Sequence, residues 1–200
     1  MAASKPVIAA FDFDETLITH DSLPDFLRHS FSLPVFAWKT FLCAPMLVRF
    51  KLRKITNQTA KEHLLTVFLG GMSIEHFDAL CQRYATRLNN ITRKEALERV
   101  QWHQQRGDTV AIISASPESW IAPWAKQHGI GQIISTKLET VGGKLTGKLA
   151  TPNCHGAEKV NRFLAKHPDR NTYELYMYGD GKSDQQMFTL ADHAFEGTFS

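Results

Sequence analysis

Along the 200 residues, short runs of consecutive apolar positions are separated by longer stretches with helical spacing. Four runs read as strands: Val7–Phe11, Thr109–Ile113, Gln132–Ser135 and Glu174–Tyr178. They are continuous rather than alternating, as in parallel strands covered on both faces. Helical patterns lie over Arg93–Arg106, Ser119–His128 and Ala157–His167, and Gly107-Asp108 and Gly129 stand as helix stops before strands. Strands alternating with helices predict an α/β fold: a Rossmann-like, three-layer core around a parallel sheet. The Val/Leu/Thr alternation of Lys137–Leu149, broken by Gly142-Gly143, predicts a hairpin. A fifth strand falls near the end of the chain, and Phe195–Ser200 is expected to be less ordered.

From about residue 19 to residue 92 no buried strand is predicted; the pattern is helical and rich in Phe and Leu. The division expected is a core of 1–18 and 93–200 with an inserted α-helical cap of 19–92. Helices packed on the sheet edge are the alternative. The most apolar tract, Leu33–Phe50, is interrupted by Pro34, Lys39, Pro45 and Arg49. Its longest stretch without a charged residue, Phe41–Val48, falls well short of the roughly 20 residues that cross a bilayer. Arg49, Lys51, Arg53 and Lys54 follow, and an apolar face beside a basic cluster suits peripheral contact with an anionic membrane. A helix buried within the cap, with its basic residues in water, explains the same pattern.

Composition narrows the classes. With 43% hydrophobic and 22% charged residues the chain is globular rather than disordered. A formal charge of +3 is too small to argue for nucleic acid. The cysteines, Cys43, Cys81 and Cys154, are odd in number, far apart and without a CxxC pair, so neither a disulfide framework nor a zinc site is indicated. This suits a reducing cytoplasm, and the N-terminus does not read as a signal peptide. Nothing sets the oligomeric state.

The chemistry gathers at strand ends. Val7–Phe11 runs straight into Asp12 and Asp14, and an extended backbone points carboxylates at i and i+2 the same way, at the edge where α/β folds place ligands. Two close carboxylates invite a proton or a cation such as Mg²⁺. The second strand ends at Ser114-Ala115-Ser116-Pro117-Glu118, a hydroxyl and free amides before a helix start, which can cradle phosphate. Lys159 opens a later helix, where an inward ammonium could offset phosphoryl charge. Tyr176-Met177-Tyr178 runs into Gly179-Asp180-Gly181-Lys182-Ser183-Asp184, where two acids four apart can serve one cation.

In this order the pieces resemble the haloacid dehalogenase superfamily, over about residues 5–18 and 95–195. The inserted helices are similar to the cap of its phosphoserine-phosphatase-like branch, and their apolar character to that of the phosphatidylglycerophosphatase C type. The resemblance implies a Mg²⁺-dependent phosphomonoester hydrolase. Asp12 would be its nucleophile, forming an aspartyl phosphate. Asp14 would act as acid and then base, and its carbonyl would bind Mg²⁺ beside Asp12, Asp180 and Asp184. Ser114 and Lys159 would hold the phosphoryl group, and Thr16 would fix the loop. The substrate would be a small phosphorylated metabolite or a lipid headgroup. Phosphoserine phosphatases carry Glu where this chain has Asp21, and Gly-Gly where it has Ala115-Ser116, so Asp21 and Ala115 are the candidate specificity positions. A phosphate- or Mg²⁺-binding module without turnover is the alternative class. His20 and His29 are expected near the cap entrance, His103 and His128 on a helix surface or in the core, and His155 beside the Lys159 loop.

Overall fold

The computed structural model describes residues 5–181, 183–197 and 199. Lys182, named above in the Gly179–Asp184 loop, and Thr198 and Ser200 of the closing stretch lie outside the described residues. A parallel five-stranded sheet in the order β3-β2-β1-β6-β7 forms the centre. Its strands are β1 (Val7–Phe11), β2 (Thr109–Pro117), β3 (Gln132–Thr136), β6 (Glu174–Gly179) and β7 (His193–Glu196). In β1, Ile8 and Ala10 join one apolar cluster with Phe163 and Met187, while Ala9 and Phe11 join another with Trp120 and Val100. That period-2 split is why the strand is apolar throughout: both faces are covered. Helices α7 (Ala157–Lys166) and α8 (Gln185–Leu190) cover the first face, and α5 (Lys94–Gln105) and α6 (Glu118–Gln127) the second.

Between β1 and α5 the chain makes α1 (Ser22–Ser30), α2 (Leu33–Lys51), α3 (Asn57–Leu69) and α4 (Ile74–Ile91), with no strand. Side chains cap three of them. Asp21 accepts from Leu23 N at 2.8 Å, Thr56 from Thr59 N at 3.1 Å and Ser73 from His76 N at 3.3 Å. The chain leaves and re-enters the core through one antiparallel bridge, Ile18 to Thr92. The predicted hairpin is β4 (Leu138–Val141) and β5 (Lys144–Leu149), and it supports these helices. Gly71 N donates to Leu145 O, Leu145 N to Met72 O and Ile74 N to Gly143 O, at 2.8–3.0 Å. Gly147, at φ +86, lies so close to α3 that a Cβ there would sit 2.2 Å from Thr66 Cα. Only glycine meets both demands.

Helix α2 departs from expectation. The interruptions do not divide it: it runs unbroken through Pro45, and of its nineteen residues only Cys43 is buried. The tract is therefore not buried within the cap as a whole: one side packs on α3 through Phe36, Lys39 and Cys43, and the rest is exposed. By length and composition alone α2 could cross a bilayer, with a mean hydropathy of 1.3.

Candidate active site

Asp12 follows the last residue of β1, and its amide donates to Tyr178 O of β6 at 2.8 Å. That bond sets the end of β1 beside the Gly179-Asp180 turn of its neighbour. A tight turn over Phe13–Leu17 then carries Asp14, with Glu15 at φ +57. Left-handed backbone at a non-glycine residue costs roughly 1–2 kcal/mol.

Lys159, on the first turn of α7 and 1% exposed, binds two carboxylates. Its Nζ lies 2.8 Å from Asp12 Oδ1 and donates to Asp184 Oδ1 at 2.6 Å. Gly156, at φ +60, turns the chain into this helix. Burial alone would lower the Lys159 pKa, but the charges of Asp12 and Asp184 outweigh it and hold the ammonium above its ordinary range. Burial dominates for Asp12 and, despite Lys159, pushes its carboxyl up to about 7. Asp180 is raised to about 6 by burial, by a hydrogen bond with Glu15 and by the charge of Asp184.

Carboxylate oxygens of Asp12, Asp180 and Asp184 lie within 4.8 Å of one another. Asp184 Oδ2 is buried with no hydrogen-bond partner among the described residues. An orphaned carboxylate oxygen in an all-oxygen cluster is what a hard divalent cation satisfies, so these residues fit one. Gly179 makes the cluster possible, because a Cβ there would stand 2.6 Å from Asp184 Oδ2.

The carboxylate of Asp14 points elsewhere. Its Oδ2 accepts from Ser116 Oγ at 2.5 Å and its Oδ1 from Ser22 N at 2.7 Å. Ser22 Oγ lies 2.9 Å from Ser116 Oγ and accepts from Trp120 Nε1 at 3.1 Å. With Trp120 able only to donate, the hydroxyls order as one chain ending on Asp14. Ser114, fully buried, accepts from Ser116 N at 3.0 Å with its hydroxyl, and Ala115 and Ser116 line the cavity above. Asp21 lines it too while capping α1, and burial and Asp14 raise its pKa. Thr16 is buried, but its hydroxyl has no partner among the described residues.

Lys61 of α3 was not anticipated. It reaches across from the helical insertion, and its Nζ donates to Ala115 O and Asn153 Oδ1, each at 3.0 Å. A lysine in the second turn of a helix is usually solvated. The one signal available was its spacing with Asn57 and Leu64, which line the same cavity of about 470 Å³. Ser22 and Ser116 carried no signal that separated them from ordinary helix starts. Of the histidines, His155 lines the cavity, while His20 pairs with Asp25 at 3.3 Å and His29 lies against the Tyr84 ring. His103 is fully buried, and His128 is partly buried, bonded to Asn89.

Comparison with known proteins agrees with this geometry. The family model described as haloacid dehalogenase-like hydrolase matches residues 9–189. Protein CicA of Caulobacter vibrioides is 27% identical over 191 residues, covering 94% of this chain and 84% of its own length. Phosphoserine phosphatase SerB1 of Mycobacterium tuberculosis is 27% identical over 197 residues, 93% of this chain and 63% of its own. Among solved structures, a protein of unknown function from Bordetella pertussis superposes with a TM-score of 0.82 at 22% identity, over 96% of this chain and 90% of the other.

Proposed function

This chain belongs to the haloacid dehalogenase-like hydrolases and is a phosphatase, similar to the phosphoserine phosphatases, and we propose that it is a Mg²⁺-dependent phosphomonoesterase working through phospho-Asp12. The observation that carries this reading is the Lys159 ammonium bridging Asp12 and Asp184 beside Asp180. Phosphoryl transfer is mostly positioning and charge neutralisation, and this arrangement supplies both.

A carboxylate oxygen of Asp12 attacks phosphorus as the bond to the leaving oxygen breaks. Lys159 holds Asp12 in place and offsets charge on the transferring group. Asp14 gives a proton to the departing alkoxide, then takes one from the water that attacks phospho-Asp12, releasing phosphate and restoring both carboxyls. Asp12, Asp180, Asp184 and the Asp14 carbonyl would hold Mg²⁺. When bound, the ion supplies further neutralisation of phosphoryl charge. Core residues 1–18 and 93–200 would carry this chemistry, with the 19–92 cap selecting the leaving group and excluding water. A cytoplasmic setting accords with three buried, unpaired cysteines.

Phosphoserine is disfavoured as substrate, since the side chain of Asp21 is shorter than that of the Glu found there in phosphoserine phosphatases and its carboxylate is engaged as a helix cap. A second reading, hydrolysis of a phosphomonoester on a lipid headgroup such as phosphatidylglycerophosphate, is favoured by Leu47 and Phe50 of α2 lining the cavity.

Phosphate release from p-nitrophenyl phosphate, phosphoserine, histidinol phosphate and phosphatidylglycerophosphate, with Mg²⁺ or with EDTA, tests the proposal. Turnover is expected only with Mg²⁺ and should fall by about 10³-fold or more in Asp12→Asn, which removes the nucleophile. Wild-type turnover in Asp12→Asn would refute the mechanism. No turnover by the wild type on any member would favour a binding role.

A further inference from the structure

Helix α2 presents an apolar surface that nothing among the described residues covers. Trp38 is 62% and Phe41 69% exposed, and Leu33, Leu42, Val48 and Leu52 are exposed beside them. The Trp38 and Phe41 rings stack with centroids 6.1 Å apart, so these are not single scattered exposures, and grouped exposed apolar side chains mark interaction surfaces. The helix turns Phe36, Lys39 and Cys43 toward the rest of the insertion and leaves its other large apolar side chains outward, which suits contact from one side. Its midpoint charge is withdrawn from that surface. Lys39 Nζ donates to Val67 O and Phe68 O of α3 at 2.8 and 3.0 Å and lies over the Phe31 and Phe68 rings.

The exposed charges gather at one end, Arg49, Lys51, Arg53 and Lys54, and no acidic residue occurs between Asp25 and Glu62. A second copy of this face would therefore bring no acidic partner to this cluster, whereas an anionic headgroup layer complements it. The surface is also continuous with the catalytic cavity, because Leu47 and Phe50 line both.

We propose that α2 docks on an anionic lipid bilayer, seating its apolar residues among the acyl chains and its basic end among the headgroup phosphates. The mouth of the cavity then opens at headgroup level, and the phosphomonoester it takes is one carried by a lipid; this last step rests on the phosphatase reading above. Contact is one-sided. Lys39 ties the middle of α2 to α3, and both ends continue into the helical insertion, so the helix lies in the bilayer face without crossing it.

Cosedimentation with phosphatidylcholine vesicles, with and without phosphatidylglycerol, tests the docking separately from the chemistry. The wild type should pellet with the anionic vesicles at low salt. Trp38→Glu/Phe41→Glu should remain in the supernatant. Replacing Arg49, Lys51, Arg53 and Lys54 with Gln should weaken binding by roughly fivefold per residue. Both variants should hydrolyse p-nitrophenyl phosphate at the wild-type rate, showing that they fold. Wild-type protein that stays in solution with both vesicle types while remaining active would overturn the docking and leave the phosphatase reading standing. Pelleting without hydrolysis on any substrate would do the reverse. A dimer in sedimentation velocity that Trp38→Glu dissociates, without vesicle binding, would replace the bilayer with a second copy of the chain.

Discussion

Replacing Lys159 with Met exposes how much of the stability of this site rests on one cation. The ammonium lies 2.8 Å from Asp12 and 2.6 Å from Asp184, in surroundings that leave it 1% exposed. At an effective dielectric near 20, unit charges this close attract by about 6 kcal/mol per pair. Desolvation takes back most of that. Removing one partner of a buried pair costs about 3–5 kcal/mol, because the remaining charge stays buried. In a chain of this size each kcal/mol moves the melting temperature by about 2–4 °C, so Lys159→Met should melt about 6–20 °C below the wild type in EDTA. Calorimetry in EDTA reads this directly, and far-UV circular dichroism at low temperature confirms that the variant is folded. Adding Mg²⁺ should recover part of the loss, since a divalent cation compensates the same carboxylates. A folded variant that melts within about 2 °C of the wild type in EDTA, less than 1 kcal/mol on that scale, would refute the pairing as drawn.

Three further outcomes are expected. Ser116→Ala removes a hydrogen bond to the Asp14 carboxylate and the acceptor of the buried Ser22 hydroxyl, and should lower kcat by roughly 10–100-fold and stability by about 1–3 kcal/mol; unchanged kcat in the folded variant would mean that Asp14 does not need it. Gly147→Ala combines a positive φ with a Cβ against Thr66 and should cost at least about 2 kcal/mol in urea unfolding; a cost under about 0.5 kcal/mol would show that α3 can yield. Burial holds the pKa of His103 below its ordinary value despite Asp108 at 2.7 Å, so the native state binds fewer protons than the unfolded chain as pH falls through about 6.5. Stability contributed by neutral His103 should therefore be lost on acidification, and His103→Gln should flatten the urea midpoint between about pH 7.5 and about pH 5; an equal slope in both proteins would sink that assignment.

The core was legible because its signals are local. β1 and β6 are apolar on both faces, and the carboxylates that follow them need no long-range information to be placed at one sheet edge. The four-helix insertion was legible by exclusion, since nothing in it alternates like a strand. What escaped depended on tertiary partners. Pro45 and Lys39 look like breaks in a tract whose helix runs through both, because Lys39 finds carbonyls on α3 that no local rule foretells. Ser114 stands where β2 was expected to finish, but the strand continues to Pro117, with a register shift against β3 between those residues. That continuation puts Ser116 against Asp14. Lys61 acts across the boundary between insertion and core, so its partners, Ala115 and Asn153, lie far away in sequence.

The bridge between Ile18 and Thr92 has a consequence for how such a protein can change. Thr19 N donates to Ile91 O and Arg93 N to Leu17 O, each at 2.9 Å, so everything between leaves and returns at a single point. For chain entropy the insertion is a closed loop whose cost grows only logarithmically with length. Helices can then be gained, lost or exchanged there with little effect on the register of the sheet or the spacing of the four aspartates. Substrate preference and reaction chemistry then become separately heritable as far as the contacts between them are kept: the hairpin bonds to Gly71 and Ile74, the Ser22 amide on Asp14 and the reach of Lys61.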